Sequence, residues 1–120
     1  MNQSPDAAYE RLQQKITRQE CVVLDGGIGT ELQRQGVRDF RLSDTSHWGF
    51  EAIDEAPDAV TNMHRRYVEA GCDVVTTNTY AILDAPEGKR ELGTPRARPS
   101  HWMEMARKAI LLARDAIQSW

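Results

Sequence analysis

The sequence predicts an α/β protein built around parallel strands, and three observations carry that prediction. Cys21-Val22-Val23-Leu24 is a short apolar run that ends abruptly in Asp25 and the glycine turn Gly26-Gly27-Ile28-Gly29. Asp73-Val74-Val75 repeats the design and runs into a polar, hydroxyl-rich end, Thr76-Thr77-Asn78-Thr79-Tyr80. Between them lies a segment with helical periodicity, which makes the whole a strand–helix–strand crossover of the parallel type. Apolar runs without alternation suit strands covered on both faces. Sites in such folds form at the carboxyl ends of the strands. Asp25 and the Asn78 to Tyr80 group are therefore expected on one shared rim.

Each element follows from local chemistry. Ser4-Pro5-Asp6 is a helix start, and Ala8, Tyr9, Leu12 and Ile16 then recur at helical spacing. Residues 1–18 thus form an N-terminal helix ahead of the first strand, placed to plug one end of a barrel. After the glycine turn, Thr30 to Gln35 continues as a short helix that Gly36 ends. From Val37 to Ala56 the sequence is irregular, with Trp48 and Phe50 among polar residues. A connection of that length suits a lid over the rim, or a loop under which Trp48 packs. Pro57 opens the next helix, striped by Val60, Met63, Tyr67 and Val68 and ended by Ala70-Gly71. Asp84 to Ser100 carries Pro86, Gly88, Gly93, Pro95 and Pro99 and reads as a loop. Ser100 caps a final helix with Trp102, Ala106, Ala109, Ile110, Ala113 and Ile117 on one face. Two parallel strands alone leave open hydrogen-bonding edges. Residues 19–120 accordingly read as the incomplete front of a larger α/β fold.

Composition narrows the function classes. The 120 residues are 40% hydrophobic and 28% charged, as in an ordinary globular domain. A net charge of −3 gives no electrostatic case for nucleic acid or an anionic membrane. No apolar run reaches the roughly 20 residues that span a bilayer, and the N-terminus lacks signal-peptide character, which points to the cytoplasm. Cys21 and Cys72 open predicted strands and read as small buried hydrophobes rather than as a disulfide or metal ligands.

The glycine turn invites a phosphate-cradle reading, which the spacing rejects. Leu32 stands where a dinucleotide fingerprint needs glycine or alanine, and no Gly-Lys-Ser/Thr follows for a P-loop. Asp25 would also repel phosphate. Recognition of an amino acid fits better: Asp25 can hold an ammonium group, and the amides of Gly26 and Gly27 can hold a carboxylate. Gly26, Gly27 and Gly29 are expected to turn with positive φ. Thr77, Asn78 and Thr79 supply neutral donors and acceptors, and Tyr80 an aromatic wall. The bland alternatives are a structural Asp-Gly turn and threonines that merely cap strand ends.

These residues carry a family resemblance. Leu24-Asp25-Gly26-Gly27-Ile28-Gly29-Thr30-Glu31-Leu32, followed by Pro57, Val60, His64, Tyr67 and the run from Ala70 to Tyr80, resembles the N-terminal part of the homocysteine S-methyltransferase family. The resemblance implies a partial (β/α)8 TIM barrel: the first two β/α units with an N-terminal helix. It implies zinc-activated transfer of a methyl group to homocysteine, giving methionine, with betaine, S-methylmethionine or methyltetrahydrofolate as donors across the family. It places Asp25, Gly26 and Gly27 in the homocysteine pocket, and Thr77, Asn78, Thr79 and Tyr80 at the same barrel mouth. The family's zinc cysteines lie in later Asn-Cys and Gly-Gly-Cys-Cys motifs, and this sequence has neither. The expectation is a partial or truncated member that supplies substrate contacts but binds no zinc alone, with open strand edges available for self-association. The competing expectation is a non-catalytic binding or assembly module built from the same barrel front, and a phosphate-binding α/β domain ranks third.

Overall fold

The computed structural model describes residues 4–36, 52–80 and 99–118. The expected lid around Trp48, its last residues apart, and the expected loop from Asp84 to Pro99 fall almost wholly outside those residues.

Five helices are described: α1 Pro5–Thr17, α2 Ile28–Arg34, α3 Ala52–Glu55, α4 Pro57–Glu69 and α5 Pro99–Gln118. Local chemistry sets their ends. Ser4 caps α1 by accepting the Ala7 amide at 3.2 Å, with Pro5 in the first turn. Pro57 likewise stands in the first turn of α4, where Ala56 supplies no side-chain cap. α1 and α4 then close with the same hydrogen-bond pattern. At α4, Gly71 donates to Val68 and Cys72 to Tyr67; at α1, Gln19 donates to Ile16 and Glu20 to Lys15. The pattern needs a left-handed residue after the cap. Gly71 meets this need at φ 99, whereas α1 forces Gln19 to φ 58. A Cβ in that region costs about 1–2 kcal/mol. Gln19→Gly should therefore raise stability by about 1 kcal/mol, read as a higher urea midpoint. A fall instead would show that the Gln19 side chain matters more than its backbone.

The core lies where α2, α3, α4 and α5 meet. Leu32, Ala52, Val60 and Met63 are fully buried together, flanked by Ile28, Ala59, Tyr67 and Leu112. Ile53, Met105 and Ala109 continue it, with Leu112 touching both groups. Two expectations change here. The tail of the supposed irregular connection is α3, which buries Ala52 and Ile53. α5 starts at Pro99 rather than after a Ser100 cap, and its buried face is Met105, Ala109, Ala113 and Ala116. Ile110 is 45% exposed, and Ile117 is likewise outside the core. Small alanines let the helix axes approach closely, so α5 turns its alanine ridge inward and its isoleucines outward.

The parallel pairing is present in reduced form. Among the described residues the two apolar runs form a single parallel bridge, Leu24 to Val74, and no longer strand. Leu24 is 64% exposed and Val23 is also exposed, so the expected cover on both faces is missing. The reason lies in the ladder. Among the described residues each run has one neighbour, and only the amides of Asp25, Asp73 and Val74 find backbone acceptors across it. Cys21, expected to be buried, is exposed on the same run, and Cys72 is half-buried; both are free thiols. α1 does not bury its stripe either, since Tyr9 and Ile16 are exposed and none of its residues is buried.

Candidate functional site

Two aspartates complete the short ladder, one at each end and in opposite directions. Asp73, on the second run, accepts the Val23 amide of the first at 2.9 Å and the Lys15 ammonium of α1 at 2.8 Å. Lys15 and the Val23 amide hold its carboxyl below the usual range. Asp25, on the first run, accepts from Thr76 of the second twice. The Thr76 amide reaches Oδ2 at 2.7 Å and the Thr76 hydroxyl reaches Oδ1 at 2.9 Å. Side-chain carboxylates thus act as rungs where the backbone ladder stops, and Asp25 marks the carboxyl end where a rim was expected.

The glycine turn is shaped by what presses on it. None of Gly26, Gly27 and Gly29 has positive φ, which corrects the expectation from sequence. Close approach is the real requirement. A Cβ on Gly26 would stand 2.8 Å from the Tyr67 hydroxyl, and one on Gly27 would collide with the Thr30 hydroxyl. Tyr67 donates that hydroxyl to the Gly27 carbonyl at 2.8 Å, tying α4 to the turn. Burial, then the charges of Glu31 and Asp25, push the Tyr67 hydroxyl above its ordinary range, which keeps it a donor.

The other expected residues lie nearby in sequence with unequal environments. The hydroxyls of Thr77 and Thr79 are hydrogen-bonded at 2.9 Å, and Asn78 is buried at 3% exposure. Tyr80 is 87% exposed. Sequence reading gave no site role to Thr76 or Tyr67, which the geometry brings to Asp25 and its turn, nor to His64, on whose ring the charge of Asp25 acts. A signal existed for the last two, since they sit three apart on the α4 stripe and so share its inward face. His64 is wholly buried, and neither ring nitrogen has a hydrogen-bond partner. Burial pulls its pKa below the ordinary value, and the charge of Asp25 works in the opposite direction.

Beside the turn, α2 carries a charge cluster. Glu31 receives a two-pronged contact from Arg34, at 2.8 and 2.7 Å, with Arg66 of α4 at 3.7 Å. Its side chain is only 16% exposed, and these partners, Arg34 foremost, lower its pKa from 4.5 to about 2. The unfolded chain takes up this proton first, so the stabilisation is complete above pH 4.5 and is lost as pH falls towards 2. Glu31→Gln should therefore be less stable than the parent at neutral pH, and the gap should close across that window. A gap that ignores pH would remove the ion pair as its cause.

A depression of about 660 Å³ opens between α4 and α5 and includes Asp58, Arg65, Leu112 and Asp115, none of them at the rim. The described residues contain no group of three or more His, Cys, Asp or Glu placed to share a metal ion. Burial, then the charges of Asp25 and Asp73, raise the Cys72 thiol pKa, which is the wrong direction for a thiolate ligand. The donors among the described residues do not make a set that fits zinc. No described helix is long and apolar enough to cross a membrane.

Among the described residues, a single parallel bridge beside the helices carries an acid and a glycine turn at its carboxyl end. Comparison with known proteins gives the class. The homocysteine S-methyltransferase family model matches residues 22–120, and the chain belongs to that family. It is 32% identical over 96 residues to homocysteine S-methyltransferase 4 of Zea mays, covering 80% of this chain and 25% of that protein. It is 32% identical over 98 residues to homocysteine S-methyltransferase YbgG of Bacillus subtilis, covering 82% of this chain and 29% of that protein. A methionine synthase of Mycobacterium leprae is 40% identical over 67 residues, 52% of this chain and 5% of that protein. The matched part of the chain thus covers less than a third of each of these relatives. No solved structure matches it at a significant level.

Proposed function

We propose that this chain forms the homocysteine-recognising front of a homocysteine S-methyltransferase-type (β/α)8 barrel, in which a methyl group passes to the homocysteine thiol to give methionine. The observation that supports this best is the Asp25–Thr76 clamp, which fixes a carboxylate beside the Gly26–Gly27 turn. An amino acid needs an anion for its ammonium group and donors for its carboxylate. Asp25 supplies the first, and the amides of Gly26 and Gly27 supply the second. Thr77, Asn78, Thr79 and Tyr80 would line the mouth around the thiol-bearing arm. The part assigned to the described residues is to bind and orient. Activation of the thiol by zinc belongs to the complete enzyme of the family.

Titration of L-homocysteine into the isotopically labelled chain tests this reading. The Gly26, Gly27 and Thr76 amide signals should move together and saturate. 4-Mercaptobutanoate, which has the carboxylate and thiol but no ammonium, should move them far less. Signals that stay fixed up to the solubility limit of homocysteine would end the proposal.

A further inference from the structure

Among the described residues, His64 is the buried side chain whose polar atoms find no hydrogen-bond partner. It lies on the inward stripe of α4 between Val60 and Tyr67, wholly buried, with both ring nitrogens unpaired. Burying a polar group without a partner is destabilising, and a neutral imidazole carries one donor and one acceptor to satisfy. Its helical neighbour Tyr67 has spent its hydroxyl on the Gly27 carbonyl and presses its ring on Gly26, the residue after Asp25. His64 precedes Tyr67 by three residues on the same helix face, and the charge of Asp25 acts on its ring. Asp25 has capacity left. An ionised carboxylate offers about four acceptor positions, and Thr76 fills one on each oxygen.

We infer that His64 is a positioning residue for amino-acid recognition, its ring N–H donating to Asp25 in the ligand-bound form so that the carboxylate stays aimed at the substrate ammonium. This rests on the homocysteine reading above and adds a second support to its anchor. In the bound state the four acceptor positions are then filled by the Thr76 amide, the Thr76 hydroxyl, the ammonium and His64. No bond is made or broken. The group remains neutral throughout, as the lowered pKa of the ring favours.

The role implies a trade that structural packing would not produce. His64→Leu removes an unsatisfied polar group and keeps apolar volume, so its urea midpoint should equal or exceed that of the parent. Its affinity for L-homocysteine should fall by about ten-fold or more, as expected for one hydrogen bond to a charged group. His64→Gln, which restores an N–H donor, should recover most of that affinity. In the parent chain, one imidazole nitrogen resonance of His64 should shift as homocysteine is added. Equal homocysteine affinity in His64→Leu, a clear loss of stability in that variant, or an imidazole signal that ignores the ligand would each overturn the inference. A parent chain that binds no homocysteine would instead bring down the underlying reading, and this inference with it.

Discussion

Asp25→Ala should lose about 1.5–3 kcal/mol of stability, the range for a hydrogen bond to a charged group. The two Thr76 contacts do not count twice. Both are exposed, so the freed amide and hydroxyl turn to water and recover part of the loss. Asp25→Asn separates structure from recognition. Its amide oxygen still accepts the Thr76 amide, and the Thr76 hydroxyl rotates to accept from the new NH2, so the stability cost should be about 1 kcal/mol or less. Homocysteine binding should nevertheless weaken about ten-fold or more, because the charge that holds the ammonium is gone. Urea unfolding and homocysteine titration on the same two variants read both effects. If Asn binds as well as the parent, Asp25 is a structural rung and no more.

The sequence made some of this legible and withheld the rest for physical reasons. The two apolar runs and their order were readable because a run of Val and Leu ending in Asp-Gly has few uses. The family followed from the same residues. What the runs do to each other was not readable, since a single bridge fixed by side-chain carboxylates has no periodic signature. Thr76 reads as one more β-former until its two bonds to Asp25 are seen. The glycine turn was found for the wrong reason: Thr30 crowds a Cβ on Gly27 from within the turn, and Tyr67, distant in sequence, crowds one on Gly26. On α5 the expected face mixed Ala109 and Ala113, which are buried, with Ile110 and Ile117, which are not, because close helix packing selects small residues whatever their hydropathy. His64 was quoted for the family resemblance alone, because a histidine on an apolar stripe does not announce whether it has a partner.

Leu32→Ala should be the most destabilising of these substitutions. Leu32 is fully buried among Ala52, Val60 and Met63, so truncation leaves a cavity between α2 and α4. Leu-to-Ala changes in such settings cost about 2–5 kcal/mol. Whole domains hold only about 5–15 kcal/mol, so a large share of the folded population is at stake. The effect should also reach the rim, because α2 begins directly after Gly27 and Leu32 is its only buried residue. Loosening that anchor frees the turn that Tyr67 holds from the other side, so amide exchange at Gly26 and Gly27 should quicken along with the global loss. Ile110→Ala on the exposed side of α5 is the matched control, expected within about 0.5 kcal/mol of the parent. Should Ile110→Ala cost as much as Leu32→Ala, α5 would bury its isoleucine face rather than its alanine face, and the packing of α4 against α5 would need to be redrawn.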